Sequence, residues 1–493
     1  MLFRSDGVNH TSIWIAQTKG SKKPRALTAE GKDSTPRWSP DGNQVAFIRG
    51  SEGGNQIYMI DMDGGEAQQL TNLPEGVISQ MQWCPKGCQL AISYRKTEKP
   101  YTHSAAEKRK ENKESDPPII TEDAWYRLDG DGYFGHARFQ LYLVDATTGT
   151  FNNIWSKDTI GSFSYCWSPK GEKIAISTNT SMKAYLDARP TKVMMYDVEA
   201  NKYAILPNCP KGPKDAVIWS PNGKWIAWAG REGDEYSYST ENLELYVASV
   251  TKGNAKSITS NIDSCLMAVT LSDTGEIGFG AQIAWASDSN TLLVRIGERG
   301  EEQICSIKRT GGKLKPMTSG NAIHAIGNFT KDRKACAMVI GSATSLPEIY
   351  IAKVGATKIT TKQVSFENTL WCEEHTIVTP KEKWITSKDK TKIHCWIMRP
   401  PKEAKQRKSK PAILQIHGGP HCQYGWTFFH EFQCLVSAGY TVVYANPRGS
   451  KGYGQLHCEA LRNDWGGAAW VDKQAVITMI PKVKNINSNN SGY

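Results

Sequence analysis

One phrase recurs along this chain and limits what it can fold into. It reads Trp, a small residue, Pro, a turn residue and Gly, then a β-rich run: WSPDGNQVAFI from Trp38, WCPKGCQLAIS from Trp83, WSPKGEKIAIS from Trp167 and WSPNGKWIAWA from Trp219. A degraded copy, WASDSNTLLVRI, starts at Trp285, and a fainter one, FTKDRKACAMVI, at Phe329. The phrase encodes a β-hairpin. Pro presets φ at the first turn position, Asp-Gly or Asn-Gly tolerates positive φ, and the apolar run that follows reads as a buried strand. The Trp is expected to fill space between neighbouring sheets.

A second phrase follows the hairpins: QIYMIDMDGG from Gln56, QLYLVDATTG from Gln140, VMMYDVEAN from Val193, ELYVASVTKG from Glu244 and EIYIAKVG from Glu348. These read as outer strands of the same sheets. Each unit then holds about four short strands, the size of one β-propeller blade. The chain is therefore expected to be mainly β, with about six blades between Thr35 and Lys358 and about seven if Thr11–Thr28 belongs to another. That last segment looks like the outer part of a blade without its inner strands, so a shortened N-terminus is expected.

The formal charge of +11 sits largely in two polar runs, Lys108–Lys113 and Lys402–Lys410. Neither run contains an aromatic residue, whereas a nucleic-acid interface wants a basic stripe with aromatics interleaved; both read as solvated loops. The start, MLFRSDGVNHTSIWIAQ, lacks the basic and apolar regions of a secretory signal, and no apolar run is long enough for a transmembrane helix. The twelve cysteines are scattered, and Cys166, Cys265, Cys305 and Cys336 lie in strand-like apolar contexts that suit buried thiols in a reducing compartment. Cys84 and Cys88 are four apart, but no second pair has zinc-ligand spacing. The expectation is a cytoplasmic protein with no metal, no cofactor, no nucleic-acid partner and no membrane association.

Residues 95–139 interrupt one repeat with a charged loop followed by TEDAWYRLDGDGYFGHARFQ. Its Asp129-Gly130-Asp131-Gly132-Tyr133 motif lacks the downstream bidentate Glu of an EF-hand and reads as surface loop. After Gly355 the repeat fades. Residues 367–410 read as a linker and first strands, with a hairpin in WITSKDKTKIHCWIMRP and an exposed charged loop. From Pro411 the pattern changes. PAILQIHGGPH is a buried strand, Ala412–Ile416, running into a Gly-Gly-Pro turn. FFHEFQCLVSAGY places Phe428, Phe432, Leu435 and Val436 at helical spacing, with Gly439 as its stop. TVVYANPRGSKGYG is a second buried strand entering a Gly-rich loop. Strand, helix, strand with apolar runs signals a parallel sheet. The expected domains are thus a propeller over 1–366, a linker over 367–410 and an α/β domain over 411–493.

The repeats resemble those of TolB-like and prolyl oligopeptidase-like propellers. The segment His417–Gly454, HGGPHCQYGWTFFHEFQCLVSAGYTVVYANPRGSKGYG, resembles the start of the hydrolase domain in the prolyl oligopeptidase family of serine peptidases. The likeness is greatest to the acylaminoacyl-peptidase and dipeptidyl-peptidase-like branch. It continues through NDWGG, Asn463–Gly467, and the end of the 95–139 insertion resembles the same branch. The implied fold is a β-propeller followed by the N-terminal portion of an α/β-hydrolase domain. The implied activity is hydrolysis of peptide bonds in short peptides. The alternative is a non-catalytic propeller that binds peptides or proteins, for which HGGP and NPRGSKGYG would have no use.

Peptide hydrolysis in this family needs Ser, Asp and His in that chain order, the Ser lying on a G-x-S-x-G elbow. The elbow follows the WGG phrase in the family. Here 26 residues follow Gly467, and they contain no G-x-S-x-G. They read as a helix to Ile480 and a polar tail whose Ser491 is expected to be disordered. The chain is therefore expected to stop before the triad and to be inactive. His417 is read as shaping the turn, with His421 and His430 beside it on a loop and a helix. The resemblance leaves half an oxyanion site, in which the N–H of Gly418 or Gly419 faces the developing charge, or in which the glycines make only a tight turn. Arg448 either binds a substrate carboxylate through both arms of its fork or ties down its own loop. Where the family reads WGGKDxxD, this chain reads WGGAAWVD. Ala469 replaces an acidic residue and Asp472 keeps the second one.

Overall fold

The computed structural model describes residues 10–19, 22–29, 31–122, 125–128, 131–182, 191–233, 240–268, 270–274, 280–404, 411–483, 486 and 491–492. Residues 129–130 of the Asp-Gly motif, 405–410 of the second basic run, the first nine residues and most of the tail beyond Val483 lie outside the described residues.

Each copy of the recurring phrase folds as the hairpin between the first two strands of a four-stranded antiparallel unit. In chain order the units cover 33–69, 76–155, 164–205 and 214–257, then 283–316 and 323–363, the last two joined in one sheet by a parallel bridge from Glu302 to Ile323. The 95–139 insertion leaves the second unit between its second and third strands. The turn geometry is the same throughout. Gly42, Gly87, Gly171 and Gly223 take φ of 67–82°, and in the degraded copies Ser289 and Arg333 take 52° and 56°. Each donates its N–H to the carbonyl three residues back at 2.8–3.2 Å. The residue before it supplies the compensation: Asp41, Asn222, Asp288 and Asp332 each accept from the N–H two residues on, at 2.9–3.2 Å. An Asx turn thus holds the left-handed position where glycine has been lost.

The repeat tryptophans depart from expectation in one place. Trp167, Trp219 and Trp285 are buried, whereas Trp38 is 51% exposed. Trp83 shows the reason, because its Nε1 donates to Arg37 O in the preceding unit at 3.1 Å. Trp38 stands in the first four-stranded unit, which among the described residues follows the short Trp14–Ile15 and Arg25–Ala26 ribbon. Between the first two units the core holds Ile48, Ile57, Met81, Leu90 and Ile92, and between the second and third Leu141, Trp155, Tyr165, Ile174 and Ile176. Each such side chain gains about 1.5–3 kcal/mol from burial.

The chain divides into two compact units, one of Met1–Ala227, Glu232–Asp234 and Ala248–Ala255, the other of Trp228–Arg231, Glu235–Val247 and Lys256–Tyr493. The strands from 283 to 363 fall in the same compact unit as the C-terminal sheet. Backbones pack closely within that unit. A Cβ on Gly425 would stand 2.0 Å from Gly300 O, and Gly300 O accepts from Trp426 N at 2.8 Å. Only glycine allows that approach.

The C-terminal sheet has the order Lys381–Thr386, Lys392–Met398, Thr441–Asn446, Ala412–Gln415, Ser491–Gly492. The first three strands are antiparallel neighbours, and Ala412–Gln415 runs parallel to both of its own. Alternation sends Ile393, Cys395, Val443 and Ala445 to one face under helix Ala468–Met479, and Trp396, Val442 and Tyr444 to the other under helix His430–Ser437. Gly439, at φ 89°, ends the latter helix. The tail corrects one expectation. Ser491–Gly492 pairs with Ala412–Ile413, because that strand edge offers unpaired backbone groups to any extended segment that reaches it.

Candidate functional site

The strand Ala412–Gln415 delivers the chain into the turn His417-Gly418-Gly419-Pro420, and the strand Thr441–Asn446 delivers it into Pro447-Arg448-Gly449-Ser450. The two strands are parallel neighbours, so both loops leave the same end of the sheet, where sites of parallel α/β sheets form. Gly418 and Gly419 are exposed, and neither N–H has a hydrogen-bond partner among the described residues. Gly419 has φ 115°, and a Cβ there would stand 2.7 Å from Cys422 Sγ.

The groups beneath the turn are all engaged. Gly418 O receives Cys422 Sγ at 2.7 Å and His417 Nδ1 at 3.0 Å. His417 Nε2 lies 3.0 Å from Ser450 Oγ, which itself donates to Pro447 O at 2.6 Å. This serine–histidine contact is not a catalytic pair, because Ser450 is 1% exposed and its hydroxyl is spent on the loop backbone. His421 Nδ1 lies 3.0 Å from Gly449 O and 3.2 Å from Cys458 Sγ. Burial lowers the pKa of both histidines and lifts the Cys422 and Cys458 thiols to about 12 and about 11. These are neutral, space-filling groups at ordinary pH.

Arg448 is tied on three sides. Its Nε and Nη2 meet Asp472 at 3.0 and 2.8 Å, its backbone N–H meets Asp472 at 2.7 Å, and Nη2 also reaches Asp389 at 2.6 Å. Asp472, the acid kept in WGGAAWVD, thus has its partner. Neighbouring Ala469 is buried where it stands. Asn446 fixes the other side of the loop, bonding Tyr424 N and O and Tyr453 OH at 2.8 Å each. Tyr453 in turn meets His394 Nδ1 at 2.8 Å. His430 heads its helix, where its backbone N–H donates to Asp273 Oδ1 at 2.9 Å. Sequence reading missed Cys422, Ser450, Asp389 and Tyr453. Cys422, Ser450 and Tyr453 lie inside His417–Gly454 and Asp389 in the hairpin before it, and each acts through the folded loop. No group of His, Cys, Asp or Glu among the described residues has metal-binding geometry, and all twelve cysteines are free thiols.

Comparison with known proteins matches these features to one family. Residues 426–492 match the model of the prolyl oligopeptidase family. The chain is 30% identical over 485 residues to an uncharacterised peptidase, YuxL, of Bacillus subtilis, covering 98% of this chain and 72% of that one. It is 23% identical over 492 residues to dipeptidyl-peptidase 5 of Porphyromonas gingivalis, covering 97% and 68%. Among solved structures, Pyrococcus horikoshii acylaminoacyl peptidase superposes with a TM-score of 0.73 at 20% identity, over 95% of this chain and 66% of that one. No helix of the described residues is long and apolar enough to cross a membrane. With a 30% identical relative matched over most of both chains, this mainly β protein belongs to the prolyl oligopeptidase family.

Proposed function

We propose that this chain carries the propeller and the oxyanion side of a serine peptidase acting on short peptides, and that by itself it does not hydrolyse them. The supporting observation is the pair of exposed, unpartnered amides of Gly418 and Gly419 at the end of the parallel strands, where a developing carbonyl oxyanion would be met. The nucleophile elbow and its Asp and His partners are assigned to the part of the relatives' length that this chain does not span, which is 28% of YuxL by the 72% coverage. Arg448 serves in this reading as the tie of its loop, its fork being engaged by Asp472 and Asp389. A propeller that limits access to small substrates, no nucleic-acid or membrane partner, and a cytoplasmic location complete the proposal, the last resting on the free thiols. Incubation with short chromogenic peptides tests it. The expected result is no turnover above buffer, and turnover abolished by a serine-directed inhibitor would overturn it.

A second reading, a peptide-binding module without chemistry, draws on a surface groove of about 650 Å³ beside the insertion. Lys96, Lys99, Glu98, Gln140 and Tyr142 are among its lining residues. Saturable binding of short peptides that is lost on Lys96→Glu, with no turnover, would favour it.

A further inference from the structure

The two glycines of the turn are not equivalent, and what lies beneath them decides between them. A trans peptide points its C=O and its N–H in opposite directions. The peptide joining Gly418 to Gly419 has its C=O held inward, by His417 Nδ1 at 3.0 Å and Cys422 Sγ at 2.7 Å. Its N–H, that of Gly419, is therefore turned outward, where no partner among the described residues takes it. We propose that His417 and Cys422 are positioning residues that lock this peptide plane and so make Gly419, rather than Gly418, the oxyanion donor of the turn. The inference rests on the oxyanion reading given above.

A thiol 3.3 Å from an imidazole beside an oxyanion turn resembles a nucleophile and its base. Three observations assign it the other role. Cys422 is 3% exposed, its S–H is directed at Gly418 O, and burial raises its thiol to about 12, so the thiolate that attack requires is absent at neutral pH. The same packing explains Gly419. Any side chain there would collide with Cys422 Sγ and displace the lock. His417 completes the arrangement. A neutral ring donating from Nδ1 to Gly418 O leaves Nε2 3.0 Å from Ser450 Oγ, whose hydroxyl donates to Pro447 O at 2.6 Å. Protonating the ring puts a positive charge beside Gly418 O and makes Nε2–H a donor to Ser450 Oγ, whose own hydrogen stays on Pro447 O. Lys473 and Asn446 are the other groups that act on the ring, Lys473 opposing its protonation and Asn446 favouring it.

Isotope labelling of glycine at its carbonyl carbon and amide nitrogen tests this in the full chain. A carbonyl-to-amide correlation spectrum then shows only glycines that follow a glycine: Gly54, Gly65, Gly312, Gly419 and Gly467. The Gly419 signal reports the Gly418 carbonyl, and the other four report whether the protein is folded. Cys422→Ala is expected to move the Gly418 carbonyl upfield and the Gly419 amide with it, Cys422→Ser to restore both, and the other four signals to stay. In the unsubstituted chain, lowering the pH is expected to move the Gly418 carbonyl as His417 protonates, which needs no variant to fold. A Gly418 carbonyl that is unmoved by Cys422→Ala in the folded protein, or flat through the histidine titration, would overturn the lock. An intact lock in a chain that nonetheless hydrolyses peptides through a serine elsewhere would instead count against the oxyanion reading.

Discussion

Arg448 and Asp472 meet in a two-point ion pair, Nε to Oδ2 at 3.0 Å and Nη2 to Oδ1 at 2.8 Å, and the same carboxylate accepts the Arg448 backbone N–H at 2.7 Å. One fully buried acid on helix Ala468–Met479 thereby fixes both the side chain and the main chain of the loop that faces the Gly-Gly-Pro turn. Asp472→Asn leaves the guanidinium with exposed Asp389 alone and is expected to cost about 3 kcal/mol in a urea melt. Asp389→Asn, at the solvent side, is expected to leave the melt unchanged. Equal losses from the two variants would contradict the assignment of Asp472 as the anchor.

Gly425 touches Gly300 backbone to backbone, with 2.0 Å between a built Cβ and Gly300 O. Gly425→Ala must push the 298–301 turn away from the C-terminal sheet, at an expected cost of about 2–3 kcal/mol. Gly466→Ala, where a Cβ meets nothing within 4 Å, is expected to stay within about 0.5 kcal/mol. Denaturant midpoints of the two variants make the comparison.

Arg295 and Glu302 form an ion pair at 3.3 Å with both side chains almost wholly buried. Burial outweighs the partner for each, lowering the Arg295 pKa and raising that of Glu302. Such a pair stabilises little but is costly to halve. Glu302→Gln is expected to lose about 3–5 kcal/mol, while Arg295→Met with Glu302→Leu recovers most of it. A double variant as unstable as the single one would contradict this.

Five histidines, two of them buried and three partly buried, predict an acid limb to the stability curve. Burial lowers the pKa of His324, His417, His421 and His457, and brings His394, packed between Trp384 and Trp396, down to about 4. In the unfolded chain these rings titrate near about 6.5, so below that pH the unfolded state binds more protons. Their contribution is fully present above about pH 6.5 and is lost as the pH falls toward about 4. Buried Glu302 and Asp158, with raised pKa values, act in the opposite sense in the carboxylate range. The thermal midpoint is expected to fall between about pH 7.5 and about pH 5, and a flat profile would contradict neutral burial of the rings.

What the sequence made legible is what neighbours in the chain decide. The hairpin of each repeat is set by four or five adjacent residues, and it survives in the copies at Ser289 and Arg333 because Asp288 and Asp332 still brace the turn. The helix over Phe432 and Val436 and its stop at Gly439 are likewise local. The exposure of Trp38 was not legible, because a Trp in this phrase is covered by a neighbouring sheet rather than by its own hairpin. Nor was the close approach of Gly300 and Gly425. At the site, sequence offered Gly418, Gly419 and Arg448 with two readings for each. The contacts these residues make run from Arg448 to Asp389 and Asp472, and from Gly418 O to Cys422. No periodicity in the chain encodes them.

We propose above that this chain presents an oxyanion donor without a hydroxyl able to use it. Treating the purified 493-residue chain with a fluorophosphonate probe and mapping adducts by mass spectrometry measures this directly. The expected result is no serine modified above the level of the heat-unfolded control. Stoichiometric modification of one serine, blocked by prior unfolding, would contradict the claim.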